Sequence, residues 1–178
     1  EEGNQMKIAS KAALGLILVD FIVGLLYTHN DIGITAAKIE SDIRSSQKIQ
    51  DDWITDGTVS NTMAAYISYP QDMTNHTFSI YVNRPGLSFG YFFRGGGNLS
   101  GVASETTRVH RERGSEERAF ISMKQEQVAQ LKIDDGNSVQ TIDVDSSSPF
   151  AIVLPTDAGN IAFYDVNGKN VKYRNNPL

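Results

Sequence analysis

His29, His76 and His110 are the only imidazoles in the chain, and they stand far apart in sequence. None lies four residues from another, the spacing that sets two metal ligands on one helix face. The 178 residues include no cysteine, so thiolate catalysis, zinc-thiolate sites, iron-sulfur clusters and disulfides are excluded together. Gly95, Gly96 and Gly97 offer backbone donors to an anion, yet no Lys-Ser or Lys-Thr follows them, as a phosphate-binding loop requires. A serine hydrolase would announce its nucleophile in a G-x-S-x-G turn, which the chain lacks. Asp134, Asp135, Asp143, Asp145 and Asp157 supply hard oxygens of the kind calcium takes, without the EF-hand spacing, and aspartates beside turns ordinarily bond their own backbone. No cofactor or metal is expected.

Two groups suit binding better than catalysis. Arg108, His110, Arg111, Arg113 and Arg118 are interleaved with Glu105, Glu112, Glu116 and Glu117, so the local charge nearly cancels and a solvated loop is the default reading. Tyr91, Phe92 and Phe93 are consecutive, which turns one aromatic away from the core of any strand that contains them. With Phe92 outward beside Gly90 and Arg94, the candidate binding residues are Phe92, Arg94, Arg108 and Arg111, facing a helix, a partner or an anionic surface. A net charge of −5 argues against nucleic acid, whose phosphates demand a positive footprint. Asn75-His76-Thr77 and Asn98-Leu99-Ser100 match the glycosylation triplet.

Strands must position most of these residues. From Met63 onward the chain is written in short β-branched and aromatic runs separated by turn chemistry. Thr77–Val82 and Leu87–Phe93 alternate as half-buried strands, and Asn83-Arg84-Pro85-Gly86 between them predicts a hairpin. Further strands are expected at Arg118–Met123, Val128–Ile133, Val139–Val144, Phe150–Leu154 and Ile161–Asp165, with Asp134–Asn137 and Val166–Lys169 as turns. A long loop is expected over Gly95–Glu117, holding at most one edge strand. Eight or nine strands give a mainly β domain, an antiparallel sandwich or a partly open barrel.

Two helical segments precede it. Ile39, Ile43, Ile49 and Trp53 recur at mostly helical spacing among charged residues and predict an amphipathic helix within Ile34–Trp53, most simply one that covers a sheet face. Thr55–Thr58 reads as the break after it. Nearer the start, Gly15–Tyr27 is apolar except for Asp20. As one helix, Ser10–Tyr27 would reach about 27 Å, close to the hydrocarbon thickness of about 30 Å. The apolar residues favour insertion by about 0.3 to 0.6 kcal/mol each, against about 2.5 to 3.5 kcal/mol for a central Asp. Lys7 and Lys11 before the run orient the N-terminus inward.

The sequence Gly15-Leu16-Ile17-Leu18-Val19-Asp20 resembles the start of type IV pilins and pseudopilins, in which a glycine precedes the processing site and an acid holds the fifth mature position. That resemblance places Asp20 in an assembly helix, as Asp where the family usually has Glu. The leading expectation is a membrane-anchored protein of a bacterial-type cell envelope: an anchor over 1–30, an amphipathic connector over 31–57, and an exposed β domain over 58–178 that binds or scaffolds. Its partners would be the lipid bilayer and a protein or a second copy. Its topology would be single-pass, with the N-terminus inside and the β domain outside, or secretion after signal cleavage. The alternatives are a pilin-like, self-assembling subunit using the N-terminal helix, and a hydrolase or lyase with its Asp, His or Arg residues on loops.

Overall fold

The protein is described from a computed structural model over residues 17–25, 32–83, 89–98, 107–111, 115–123 and 127–177, with backbone only at 107–111 and 174–177. A helix, α1, occupies 17–25. A 3₁₀ turn at Ala36–Lys38 then leads into α2 (Ile39–Ser46). Among the described residues twelve strands follow: β1 (Ile54–Val59), β2 (Met63–Tyr69), β3 (Thr77–Asn83), β4 (Tyr91–Gly97), β5 (Thr107–Arg111), β6 (Glu117–Ser122), β7 (Val128–Asp134), β8 (Val139–Asp143), β9 (Phe150–Pro155), β10 (Asn160–Asp165), β11 (Asn170–Val171) and β12 (Tyr173–Pro177).

The mainly β architecture expected from the sequence, as an antiparallel sandwich or partly open barrel, is what the chain adopts in the form of open sheets, three of four strands each, ordered β1-β2-β3-β4, β12-β5-β6-β9 and β11-β10-β7-β8, with β12 and β5 parallel. The β12-β5-β6-β9 sheet is the middle layer. On one side Ala119, Ile121, Ala151 and Val153 pack with Met63, Ala65, Ile67 and Ile80 of the first sheet. On the other, Phe120 and Phe150 pack with Leu131, Ile161 and Phe163 of the third. Phe120 stands edge-on to Tyr173, ring centres 5.7 Å apart, and 5.2 Å from Phe163, the spacing at which aromatic pairs add to area burial. A strand covered on both faces needs no polar alternation. That is why Ala119, Phe120, Ile121 and Ser122 of β6 are buried in succession.

The remaining face of the first sheet is covered by α2. Ile39 and Ile43, one helical turn apart, are fully buried against Ala64, Tyr81 and Tyr91. Arg44 donates from Nη1 to the carbonyl of Gln50 (3.3 Å) and from Nη2 to that of Trp53 (3.2 Å), tying the segment after the helix back onto it. The sequence places the sheet-covering role correctly, but the regular helix ends at Ser46, short of Trp53.

Three expectations are corrected by the strands. Thr55–Thr58 is no break: it lies inside β1, paired with Ala65–Ser68. Gly57 is required there, because a Cβ would overlap the carbonyl oxygen of Ala65. Gly95–Gly97 belongs to β4, paired with Phe78–Ile80, and β5 is an interior strand of its sheet. The turn expected between β3 and β4 falls on residues 84–88, which lie outside those described.

The largest correction concerns the membrane. Among the described residues no helix is long and apolar enough to cross a bilayer. The anchor reading treated Ser10–Tyr27 as one spanning helix, and its insertion sum depended on that length. With it are overturned the membrane-anchored envelope function, the bilayer as partner and the single-pass topology.

Candidate functional site

The expected binding residues fall on two different sheets: Phe92 and Arg94 on β4, Arg108 and Arg111 on β5. Phe92 pairs with Val82, which pairs with Met63, so it sits on the face of the first sheet that meets the middle layer, where it is half-buried. The register slips beside it. Tyr81 pairs with Phe93 and Ile80 with Gly95, leaving Arg94 as the extra residue of a bulge. Phe93, not Phe92, is the exposed aromatic, 49% exposed and edge-on to Tyr81 at 5.5 Å. Arg108 pairs through its backbone with Ile121 and Arg174, and Arg111 with Pro177; their side chains lie outside the description.

The polar residues near α2 have structural duties. Tyr81 donates its hydroxyl to Asp42 Oδ2 at 2.6 Å, and burial, then the neighbouring Asp42 carboxylate, push the phenol well above its ordinary range. Gln47 reaches the Phe78 carbonyl and the Ser79 hydroxyl across Gly96, where a Cβ would crowd both Phe78 O and the Gln47 amide. Ser60 and Thr62 both donate to Glu117 Oε2, joining the β1–β2 turn to the start of β6. His76 is buried, its Nε2 has no hydrogen-bond partner among the described residues, and burial lowers its pKa. His29 lies outside the described residues. Among those described, no three of His, Asp and Glu converge as a metal site.

Several of the aspartates serve turns, whereas Asp143 accepts from the Gln130 side chain of the neighbouring strand (3.3 Å). Asp135 accepts from the N–H groups of Asn137 and Ser138 (2.8 and 2.7 Å), which hold its carboxyl below the usual range. Asp145 accepts from the N–H of Ser147, and Asp165 from those of Asn167 and Lys169.

Two surface features stand apart from this ordinary architecture. The first is α1, in which Ile17, Leu18, Val19, Phe21, Ile22, Val23 and Leu25 are 43–65% exposed with Asp20 among them. A helix with this much exposed apolar surface requires packing. The second is the open flank between the middle and third sheets, where β8 and the β9–β10 turn border a groove of about 430 Å³. Ile133, Ile142 and Leu154 line it together with Asp135, Asp157 and Gln140. At the opposite flank a smaller concavity of about 240 Å³ is lined by Ile161, Val171, Lys172 and Tyr173. Asp20 lies in α1 within the apolar run read from the sequence, whereas the exposure of Phe93 and the two flanks depends on a strand order that the sequence does not show.

Comparison of the chain with protein families, curated proteins and solved structures returns no match.

Proposed function

We propose that this protein is a self-assembling subunit in which α1 packs against α1 of other copies and the layered β domain is carried outside the resulting bundle. The segment up to residue 30 acts as the assembly arm, 31–57 as the connector and 58–178 as the displayed domain. The observation that carries the reading is the exposed apolar surface of α1, which covers about two thirds of its circumference and leaves Asp20 and Gly24 on the remaining strip. A helix apolar over so wide an arc requires a partner, and copies of the same helix supply one. Asp20 adds specificity: a carboxylate inside such a bundle must meet a cation or donor from a neighbouring chain, and the requirement fixes register. The resemblance of Gly15–Asp20 to pilin starts supports the same use of the acid.

The test is electron microscopy and sedimentation velocity on the full chain. Wild-type protein is expected to form filaments or defined oligomers, Asp20→Ala to lose them, and Ile17→Ser with Phe21→Ser to sediment as markedly smaller species. A wild-type chain that is monomeric, or association indifferent to these substitutions, contradicts the proposal.

A further inference from the structure

We infer that the β domain carries its own head-to-tail contact between copies: the β8 flank of one copy receives the β11–β12 flank of the next. The inference adds a second contact to the assembly reading and does not depend on α1.

Both flanks end in strands that have no further neighbour among the described residues, β8 in the third sheet and β12 in the middle sheet. Each is five residues long. An open edge presents a row of backbone donors and acceptors that a strand from another chain completes. β8 is also poorly covered, with Val139, Gln140, Thr141 and Asp143 exposed and Val139 58% so.

Charge decides which edge meets which. The β8 flank carries Asp143 and, in the groove, Asp157, with Asp135 engaged by the backbone of its own turn and no cation among the groove's lining residues. The opposite flank presents Lys169 and Lys172, both exposed, and its carboxylate Asp165 is engaged by the backbone of its own turn. Two β8 edges brought together would oppose carboxylate to carboxylate, which disfavours a symmetric pair. Edge β8 against edge β11–β12 opposes carboxylates to ammonium groups. The two patches are different surfaces on opposite sides of one domain, so the contact is heterologous, and repeating it extends a line of copies instead of closing a dimer. The apolar floor of the groove, Ile133, Ile142 and Leu154, is then covered by the neighbour.

Charge reversal tests the pairing in the full chain. Variant one carries Asp143→Lys and Asp157→Lys; variant two carries Lys169→Glu and Lys172→Glu. Each alone has like charges on both flanks and is expected to associate about tenfold more weakly than wild type by sedimentation velocity. Mixed in equal amounts, they present opposite charges at every junction and are expected to recover association as alternating copies. Thermal unfolding of each variant, unchanged from wild type, shows that the fold is kept. Repeating the series with Ile17→Ser and Phe21→Ser separates the two contacts: charge-dependent association that persists there upholds the flank contact even if the helix reading fails. Weakening of both variants with no recovery on mixing, or equal association of all samples, overturns the inference.

Discussion

The two short helices of this protein make opposite use of their apolar residues. In α2, Ile39 and Ile43 share one face and are fully buried on the first sheet, while Glu40, Asp42 and Arg44 occupy the other faces. In α1 the seven large apolar residues spread over about two thirds of the circumference, with Asp20 and Gly24 on the remaining strip, and they keep 43–65% of their surface exposed. Helices of this length owe their stability to packing more than to propensity. α2 obtains that packing inside its own chain, whereas α1 presents a surface that another chain can complete. The contrast teaches that apolarity alone does not identify a core helix; its distribution around the axis does.

The sharpest break of the comparison is Ile43→Ala. It opens a cavity between α2 and the first sheet and is expected to cost about 2 to 5 kcal/mol in urea unfolding, because Ile43 is fully buried. Tyr81→Phe is expected to cost about 1 kcal/mol by removing the hydrogen bond to Asp42. It also changes the alkaline response. Burial raises the phenols of Tyr66, Tyr69, Tyr81 and Tyr91 in the folded state. Their contribution is therefore complete below the unfolded tyrosine value of about 10 and is lost as pH rises through the higher folded values. Tyrosinate absorbance during unfolding above pH 10 measures this, and Tyr81→Phe flattens the decline.

His76 has the opposite sign. Its lowered folded pKa gives a contribution present above about 6.5 and lost as pH falls through the folded value, so the melting temperature should drop on acidification and drop less in His76→Phe. Smaller still is Phe21→Ser, an exposed position expected to change unfolding free energy by no more than about 0.5 kcal/mol while weakening association. Equal stability losses at Ile43 and Phe21 would erase the distinction between the helices.

Much of the β architecture is legible in the sequence. The expected runs at 118–123, 128–133, 139–144, 150–154 and 161–165 coincide with strands to within a residue or so, because apolar blocks bounded by Asp-Gly and Asn-Gly turns have few other solutions. What escaped reading was set by contacts distant in sequence. Gly57 looks like punctuation until Ala65 lies against it, and Gly96 until Gln47 crosses it. Phe92 and Phe93 exchange the roles expected of them because both faces of the first sheet are covered: Phe92 alternates onto the face that meets the middle layer, and Phe93 onto the α2 side, where it stays exposed. The three-layer stack is hidden because a doubly covered strand such as β6 has no alternation to reveal its neighbours. The spanning reading of the N-terminal run summed transfer energies over Ser10–Tyr27, whereas among the described residues no helix is long and apolar enough to cross a bilayer.

The absence of native cysteine makes one measurement direct. Single cysteines placed in turn at residues 17–25 of the full chain, oxidised under mild conditions, report which positions meet their counterpart in another copy. The account predicts disulfide-linked dimers that recur with a period of about 3.6 residues and exceed those from a cysteine replacing the exposed Asn167. Cross-linking at every α1 position no greater than at 167 would contradict it.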